Sequence, residues 1–487
     1  MHEATDHQTT DHQTTDHQAA DAQASQHEAL SWTAAQLLDA YRSRQVSPSE
    51  YADLLIAHVE RHEGRINALY DYDPERFLAA AKVSTQRWAR QAPCGPLDGI
   101  PVTLKELIAT RGTPVPHGTL AGDHPPADED APAAARLNED GALLLAKTTC
   151  PDYGMLSSGR SSFHGLTRNP WNPDFNPGGS SSGAGAAAAA GFGILHLGTD
   201  IGGSIRLPAA WCGVVGFKPS LGRVPVDPYY VGRCAGPMTR SVADAALMMA
   251  TVARTDRRDA MRLPPQQIDW SALDIDVRGM RIGVMMEAGC GLPVDEQVQR
   301  CVEDGVAHFR KAGAHIVPVG PVLSRDMLDG LNDFWRARQW SELLTLTEQQ
   351  REQVLPEILA WADEGRGLDP VKVVRGFEQT LAMRRATEAA FDQLDAVISP
   401  VSPNVEFPAE WPSPSNDPSR PFEHIVFTVP WNMGEQPAIA IHAGFSHAGM
   451  PIGLQIITPK FEDMRALQLA SAFEKWQGTL SNWPCQA

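Results

Sequence analysis

Apolar residues recur along this chain with two periods, one near 3.6 and one near 2, and the two alternate for most of its length. Early on, Leu37, Leu38 and Tyr41 share one helical face, and Ser31 or Thr33 stands where a hydroxyl caps a helix running through Arg44. Ser47-Pro48 predicts a second helix, with Pro48 at the first position, where a missing N–H costs nothing. Its Leu54, Leu55, His58, Val59 and His62 fall on one stripe, so both histidines read as partly buried neutral side chains. Gly99 to Leu104 predicts a short strand that ends by delivering Lys105. Helical pattern over 133–140, extended over 143–146, helical over 183–190 and extended over 194–198 follow in turn. The strand–helix–strand succession returns over 281–285, 296–311 and 315–319. This alternation predicts an α/β layered fold around a buried, parallel or mixed sheet.

Two stretches interrupt the pattern. Residues 255–279 are polar, contain Pro264-Pro265, and read as a surface connection; 403–421 carry six prolines and read as a long loop of the kind that walls pockets. Between them, 331–394 is mostly helical in pattern. The first thirty residues repeat Asp-His-Gln at Asp6, Asp11 and Asp16, with neither a basic start nor an apolar run. They read as a disordered polar tail, not a signal peptide. The expected organisation is thus a tail over 1–30, one catalytic domain over 31–480 and a short tail over 481–487.

Composition narrows the function. A net charge of −18 over 487 residues, with no Lys/Arg cluster, excludes a nucleic-acid surface. The longest apolar stretch, Gly183 to Leu197, is Ala/Gly-rich and broken by His196, which excludes a membrane span. Seven scattered cysteines without metal-ligand spacing read as reduced thiols of a cytoplasmic protein.

Three segments carry chemistry. In Gly198-Thr-Asp200-Ile-Gly202-Gly203-Ser204-Ile-Arg206, a glycine turn follows an extended segment and presents Ser204. The amides of Ile201, Gly202, Gly203 and Ser204 are candidate donors to a developing oxyanion, where one well-placed donor contributes about 3–4 kcal/mol. A serine hydroxyl needs a base. No histidine lies in these segments except His196, placed within the strand and read as core. Lys105 can serve if burial keeps its amine neutral. Ser180, in Gly178-Gly179-Ser180-Ser181-Ser182-Gly183, then passes the proton between Ser204 and Lys105. Each segment alone has a plain structural reading: a packing turn, a surface lysine, a serine-rich loop. Two literal motif matches are set aside because both need a preceding strand. These are the nucleophile-elbow pattern at Gly179–Gly183 and the dinucleotide fingerprint at Gly183–Ala188; Asn172-Pro-Asp-Phe-Asn-Pro177 stands before them instead.

Together the segments resemble the amidase signature family of serine hydrolases. The 24-residue separation of Ser180 and Ser204 is similar to that family's signature block. So are Gly95 to Gly99, Gly141 to Lys147, Cys212-Gly213, Gly216-Phe-Lys218-Pro219, Thr428 to Asn432, and Gly449 to Gln455. The resemblance implies a three-layer α/β/α sandwich with a twisted mixed sheet covered by helices. It also implies that Lys105 is the base, Ser180 the relay after a cis peptide, and Ser204 the acylated nucleophile. Met155 would line the substrate site, while Ser181, Asp200 and Arg206 would support the oxyanion loop. The implied activity is hydrolysis of a small carboxylic amide without metal or organic cofactor. Carbamates, ureas and esters are alternative substrates, and the glutamine-hydrolysing subunit of a tRNA-dependent amidotransferase is an alternative role. The likeness also allows a homodimer. Trp335, Trp340 and Trp411 suggest an aromatic pocket, although tryptophans of amphipathic helices also serve as core.

Overall fold

The computed structural model describes residues 28–478, 480 and 482–485; the Asp-His-Gln repeat lies outside the described residues. Local signals operate as expected at the start. Thr33, not Ser31, caps the helix Ala34–Ser43, accepting from Gln36 N while the Gln36 side chain returns to the Thr33 amide. Ser47 and Glu50 form the same reciprocal box ahead of Pro48–Ile66. On that helix His58 is buried against the Ala190 carbonyl at 2.8 Å. Burial pushes its imidazole down to about 4, so it packs as a neutral ring.

In chain order the strands are β1 (Leu69–Tyr70), β2 (Pro101–Lys105), β3 (Leu143–Thr148), β4 (Arg160–Ser161), β5 (Gly165–Leu166), β6 (Leu195–Asp200) and β7 (Val215–Lys218). They continue with β8 (Cys234–Thr239), β9 (Arg281–Val284), β10 (His315–Pro318), β11 (Ala396–Pro400), β12 (Ala438–Phe445) and β13 (Pro451–Ile457). β4 and β5 form a small hairpin, and the other strands make one eleven-stranded sheet in the order β1-β3-β2-β6-β8-β7-β12-β13-β11-β9-β10. The sheet is mixed: β3-β2-β6 and β11-β9-β10 run parallel, while the ladders through β8, β7, β12 and β13 are antiparallel.

Helices cover both faces, and the strands show why. Along β11, Ala396 and Ile398 join one hydrophobic core while Val397 joins the other. β12 alternates likewise, with Ala438 and Ala440 on one side and Ile439 and Ile441 on the opposite side. Successive side chains leave opposite faces of a strand, so nearly continuous apolar strands must be covered twice. Helices Pro48–Ile66, Glu296–Lys311 and Asp463–Gln477 contribute to the first core. Arg206–Cys212, Arg325–Leu343 and Pro356–Asp363 contribute to the second. The α/β sandwich expected from the sequence is the observed fold.

Residues 255–279 hold neither helix nor strand, yet Trp270 and Val277 are buried in the core. That stretch is therefore a covering segment pinned by two apolar side chains, which its polar composition concealed. Residues 403–421 are irregular as expected. No helix of the described residues is long and apolar enough to cross a membrane.

The Ala-rich helix Ser182–Ala190 is buried along its whole length, and small residues allow it to lie close to its neighbours. A Cβ on Gly183 would sit 2.3 Å from the Ala68 carbonyl oxygen and 2.5 Å from the Thr149 amide nitrogen, both backbone atoms. Gly183→Ala should therefore lose about 1–3 kcal/mol by overpacking. Gly320→Ala, where nothing lies within 4 Å, should stay within about 0.5 kcal/mol of the parent. Urea unfolding of the two variants checks this; equal stabilities would contradict it.

Candidate active site

Lys105 is the last residue of β2, a strand buried at all five positions and flanked in parallel by β3 and β6. The side chain is fully buried. Its Nζ donates to Ser180 Oγ at 2.8 Å and to Thr199 Oγ1 at 3.1 Å, and no carboxylate pairs with it among the described residues. Burial is the main cause that lowers its ammonium to about 8, with Arg233 pushing the same way and the Cys150 thiol opposing. Glu106, next in the chain, is fully buried as well. Its carboxylate is occupied by His164 Nε2 at 2.7 Å and Cys150 Sγ at 3.1 Å.

Ser180 follows a cis peptide from Gly179. The two preceding glycines are required by close approach: a Cβ on Gly178, whose φ is +84°, would meet the Trp211 ring at 2.5 Å, and one on Gly179 would meet Ser158 N at 2.6 Å. Ser181 is fully buried and points away from the cavity described below, donating through Oγ to the Thr199 carbonyl at 3.1 Å. Its amide donates to the Ser204 carbonyl at 3.1 Å, tying the two serine segments together.

β6 ends at Asp200, and the turn that follows carries Ser204. Asp200 accepts from Gly203 N at 2.8 Å and Ile205 N at 3.1 Å, so its carboxylate shapes that turn. Arg206 returns to it through Nε and Nη2, both at 3.1 Å, with both side chains fully buried. The guanidinium also reaches Gln455 Oε1 at 3.0 Å, the Thr428 carbonyl at 3.0 Å and Asn432 Oδ1 at 2.6 Å. Burial alone would raise the Asp200 carboxyl; Arg206 overcomes it and holds the group at about 2.

A cavity of about 520 Å³ opens over this turn, lined by Ser180, Thr199, Ile201, Gly202, Ser204 and Met155. Of the four amides expected to point at an oxyanion, Gly203's is already engaged by Asp200, a correction to that expectation. The amides of Ile201, Gly202 and Ser204 have no partner among the described residues. Nor do the hydroxyls of Ser204 and Ser180 bond to each other, although both line the cavity. Catalytic hydrogen bonds commonly tighten only when substrate is bound. His196 lies in β6, fully buried, bonded to Thr103 Oγ1 at 2.8 Å and pushed by burial down to about 3.

The remaining walls come from distant segments. Trp335 lines the cavity, whereas Trp340 and Trp411 lie outside it. Phe422 and Ile425 contribute, just past the proline-rich loop; the loop itself walls a smaller neighbouring pocket through Pro412, Pro418 and Pro421. Sequence reasoning missed Thr199 as a second partner of Lys105. Its place beside Asp200 at a strand end was the available signal.

A family model described as Amidase matches residues 50–467. The chain belongs to the amidase family. Among its relatives, a glutamyl-tRNA(Gln) amidotransferase subunit from Chloroflexus aurantiacus is 33% identical over 94% of this chain and 98% of that protein. The acylamidase of Rhodococcus erythropolis is 34% identical over 91% of this chain and 95% of its own length. A solved structure of a bacterial aryl acylamidase superposes with a TM-score of 0.84 at 28% identity, covering 91% of this amidase-family chain and 96% of the other.

The buried ion pair generates a prediction. Arg206→Met leaves the Asp200 carboxylate buried without its cation and should cost about 3–5 kcal/mol. Because the folded carboxyl is held near 2, below its unfolded value of about 4, the pair stabilises the parent fully above pH 4. That stability is lost as pH falls from 4 towards 2. Thermal unfolding against pH should show the parent–variant gap narrowing as pH falls towards 2, starting above 4 because burial raises the carboxyl once Arg206 is gone; a gap independent of pH would contradict the assignment.

Proposed function

We propose that this chain hydrolyses a carboxylic amide through an acyl-enzyme on Ser204. One observation carries the reading: a buried amine without a carboxylate partner lies 2.8 Å from the Ser180 hydroxyl, at a cavity that Ser180 and Ser204 both line. Ser204 Oγ attacks the carbonyl carbon, its proton passes to Ser180, and Ser180's own proton passes to Lys105. The oxyanion receives the free amides of Ile201, Gly202 and Ser204. Collapse breaks the C–N bond, and the departing nitrogen takes the proton back along the same route. Water then attacks the acyl ester by the reverse relay, releasing the acid and restoring Ser204. A base near 8 suits this work, because it accepts a proton readily and returns it readily close to neutral pH. Asp200 and Arg206 hold the turn in shape, Gly203 spends its amide on that support, Ser181 ties the two serine segments, and Met155 shapes the substrate wall.

The acylamidase relatives support an acyl amide as substrate. The Chloroflexus relative favours a second reading, a glutamine-hydrolysing component of an amidotransferase. That reading requires stable partner proteins and hydrolysis of free glutamine; co-purification and a glutaminase assay decide between the two. The acidic balance and seven free cysteines support a cytoplasmic setting.

Ser204→Ala should lower the hydrolysis of a simple acyl anilide by about 10⁴-fold or more. Lys105→Ala and Ser180→Ala should each lower it by about 10²–10⁴-fold. Near-parental activity in the Ser204 variant would refute the assignment. Since the neutral amine is the active form, parental kcat/KM should rise about tenfold per pH unit below 8 and level above it. A profile flat from pH 6 to 9 would remove Lys105 as the base.

A further inference from the structure

Arg233 stands immediately before β8. In the β6–β8 ladder Cys234 faces Asp200, so the register carries Arg233 to the level of Ile201, the first residue of the turn that bears Ser204. The side chain lines the cavity. Its hydrogen bonding is sparse: Nη1 donates to the Pro228 carbonyl at 3.2 Å, and no carboxylate lies within ion-pair distance among the described residues. The neighbouring cation is differently placed. Arg338 gives Nη2 to Glu342 Oε1 at 2.7 Å and stacks over the Tyr230 ring at 3.9 Å. Glu342 is thereby committed, and Asp123, the other carboxylate of the cavity wall, is exposed to water.

A half-buried guanidinium with no carboxylate partner among the described residues, near a second guanidinium, gains from an anion brought to it. Burial and the nearby Arg338 both push Arg233 below the usual arginine range, against a weaker opposing pull from Asp227 and Glu342. Trp335, Met155 and Ile425 supply apolar wall in the same cavity. We propose that Arg233 docks a carboxylate on the substrate, so that the preferred amide carries an anionic group together with an apolar portion. The proposal rests on the reading of the chain as an amide hydrolase and names the substrate class of that site. The competing role is purely structural, with Arg233 clamping the loop through Pro228.

Matched amides separate the two roles. For a carboxylate on the acyl side the pair is 4-anilino-4-oxobutanoate and neutral 4-methylpentananilide. For one on the amine side it is 4-acetamidobenzoate and neutral 4-acetamidobenzamide. In at least one pair the parent should favour the charged member in kcat/KM by about tenfold or more, the scale of a charge-assisted hydrogen bond. Arg233→Gln should bring that ratio to about one, and Arg233→Lys should restore part of it. The ratio is internally normalised, so a variant that merely folds poorly slows both members equally and leaves it unchanged. A parental ratio near one in both pairs, or a ratio unaffected by Arg233→Gln, overturns the proposal. Failure of the hydrolase reading shows separately, as absent turnover of all four amides and absent fluorophosphonate labelling of Ser204. In that event calorimetric binding of the same pairs to the parent and to Arg233→Gln yields the ratio without turnover.

Discussion

The amine of Lys105 is shut off from solvent and has no carboxylate partner among the described residues, and the chemistry open to the cavity follows from that. β2 lies between two parallel neighbours and is buried throughout, so the side chain at its end cannot reach solvent. An ammonium placed there loses its hydration, and the hydroxyls of Ser180 and Thr199 return only part of it. Charged and neutral forms therefore balance near the pH at which proteins operate. A carboxylate within contact would have locked the charged form. Glu106, the next residue in the chain, is turned instead to His164 and Cys150.

Asp200 and Arg206 show the opposite treatment of buried charge. Both are fully enclosed, but each oxygen of the carboxylate and each terminal nitrogen of the guanidinium has a partner. Lone buried charge is costly and complete pairing offsets that cost. The pair also reaches Thr428, Asn432 and Gln455, so two segments from the end of the chain hold a turn formed more than two hundred residues earlier. Two energetically distinct environments thus adjoin: a saturated ion pair that fixes geometry, and a buried amine bonded to two hydroxyls without a counter-charge.

Substrate selection has a different origin from catalysis. The groups proposed to react come from β2, the segment before Ser182–Ala190, and the turn after β6. The outer walls come from the helix Arg325–Leu343, the stretch just past the proline-rich loop, and the residues leading into β8. These wall segments lie outside the three that carry Lys105, Ser180 and Ser204. The same core accordingly accommodates relatives whose names describe an acylamidase and an amidotransferase component.

Much of this was legible in the sequence because it depends on local physics. Caps at Thr33 and Ser47, apolar alternation in the strands, and glycines at 178, 179 and 183 each act through neighbours along the chain or through steric room that only glycine leaves. Lys105, Ser180 and Ser204 were singled out together by the resemblance to the amidase signature family, since each segment alone has a plain structural reading. Other features required the tertiary structure. Trp335 lines the cavity while Trp340, five residues along the same helix, does not, since helical phase relative to the sheet decides which ring points inward. Gly203's amide went to Asp200, and Arg233 emerged beside the turn of Ser204, through the register of β6 against β8. Burial of Trp270 within a polar stretch is likewise a matter of what lies beneath it. Sequence by itself determined which nucleophilic and basic groups were present; long-range packing decided which were deprived of water, and loss of water is what brings the Lys105 ammonium down to about 8.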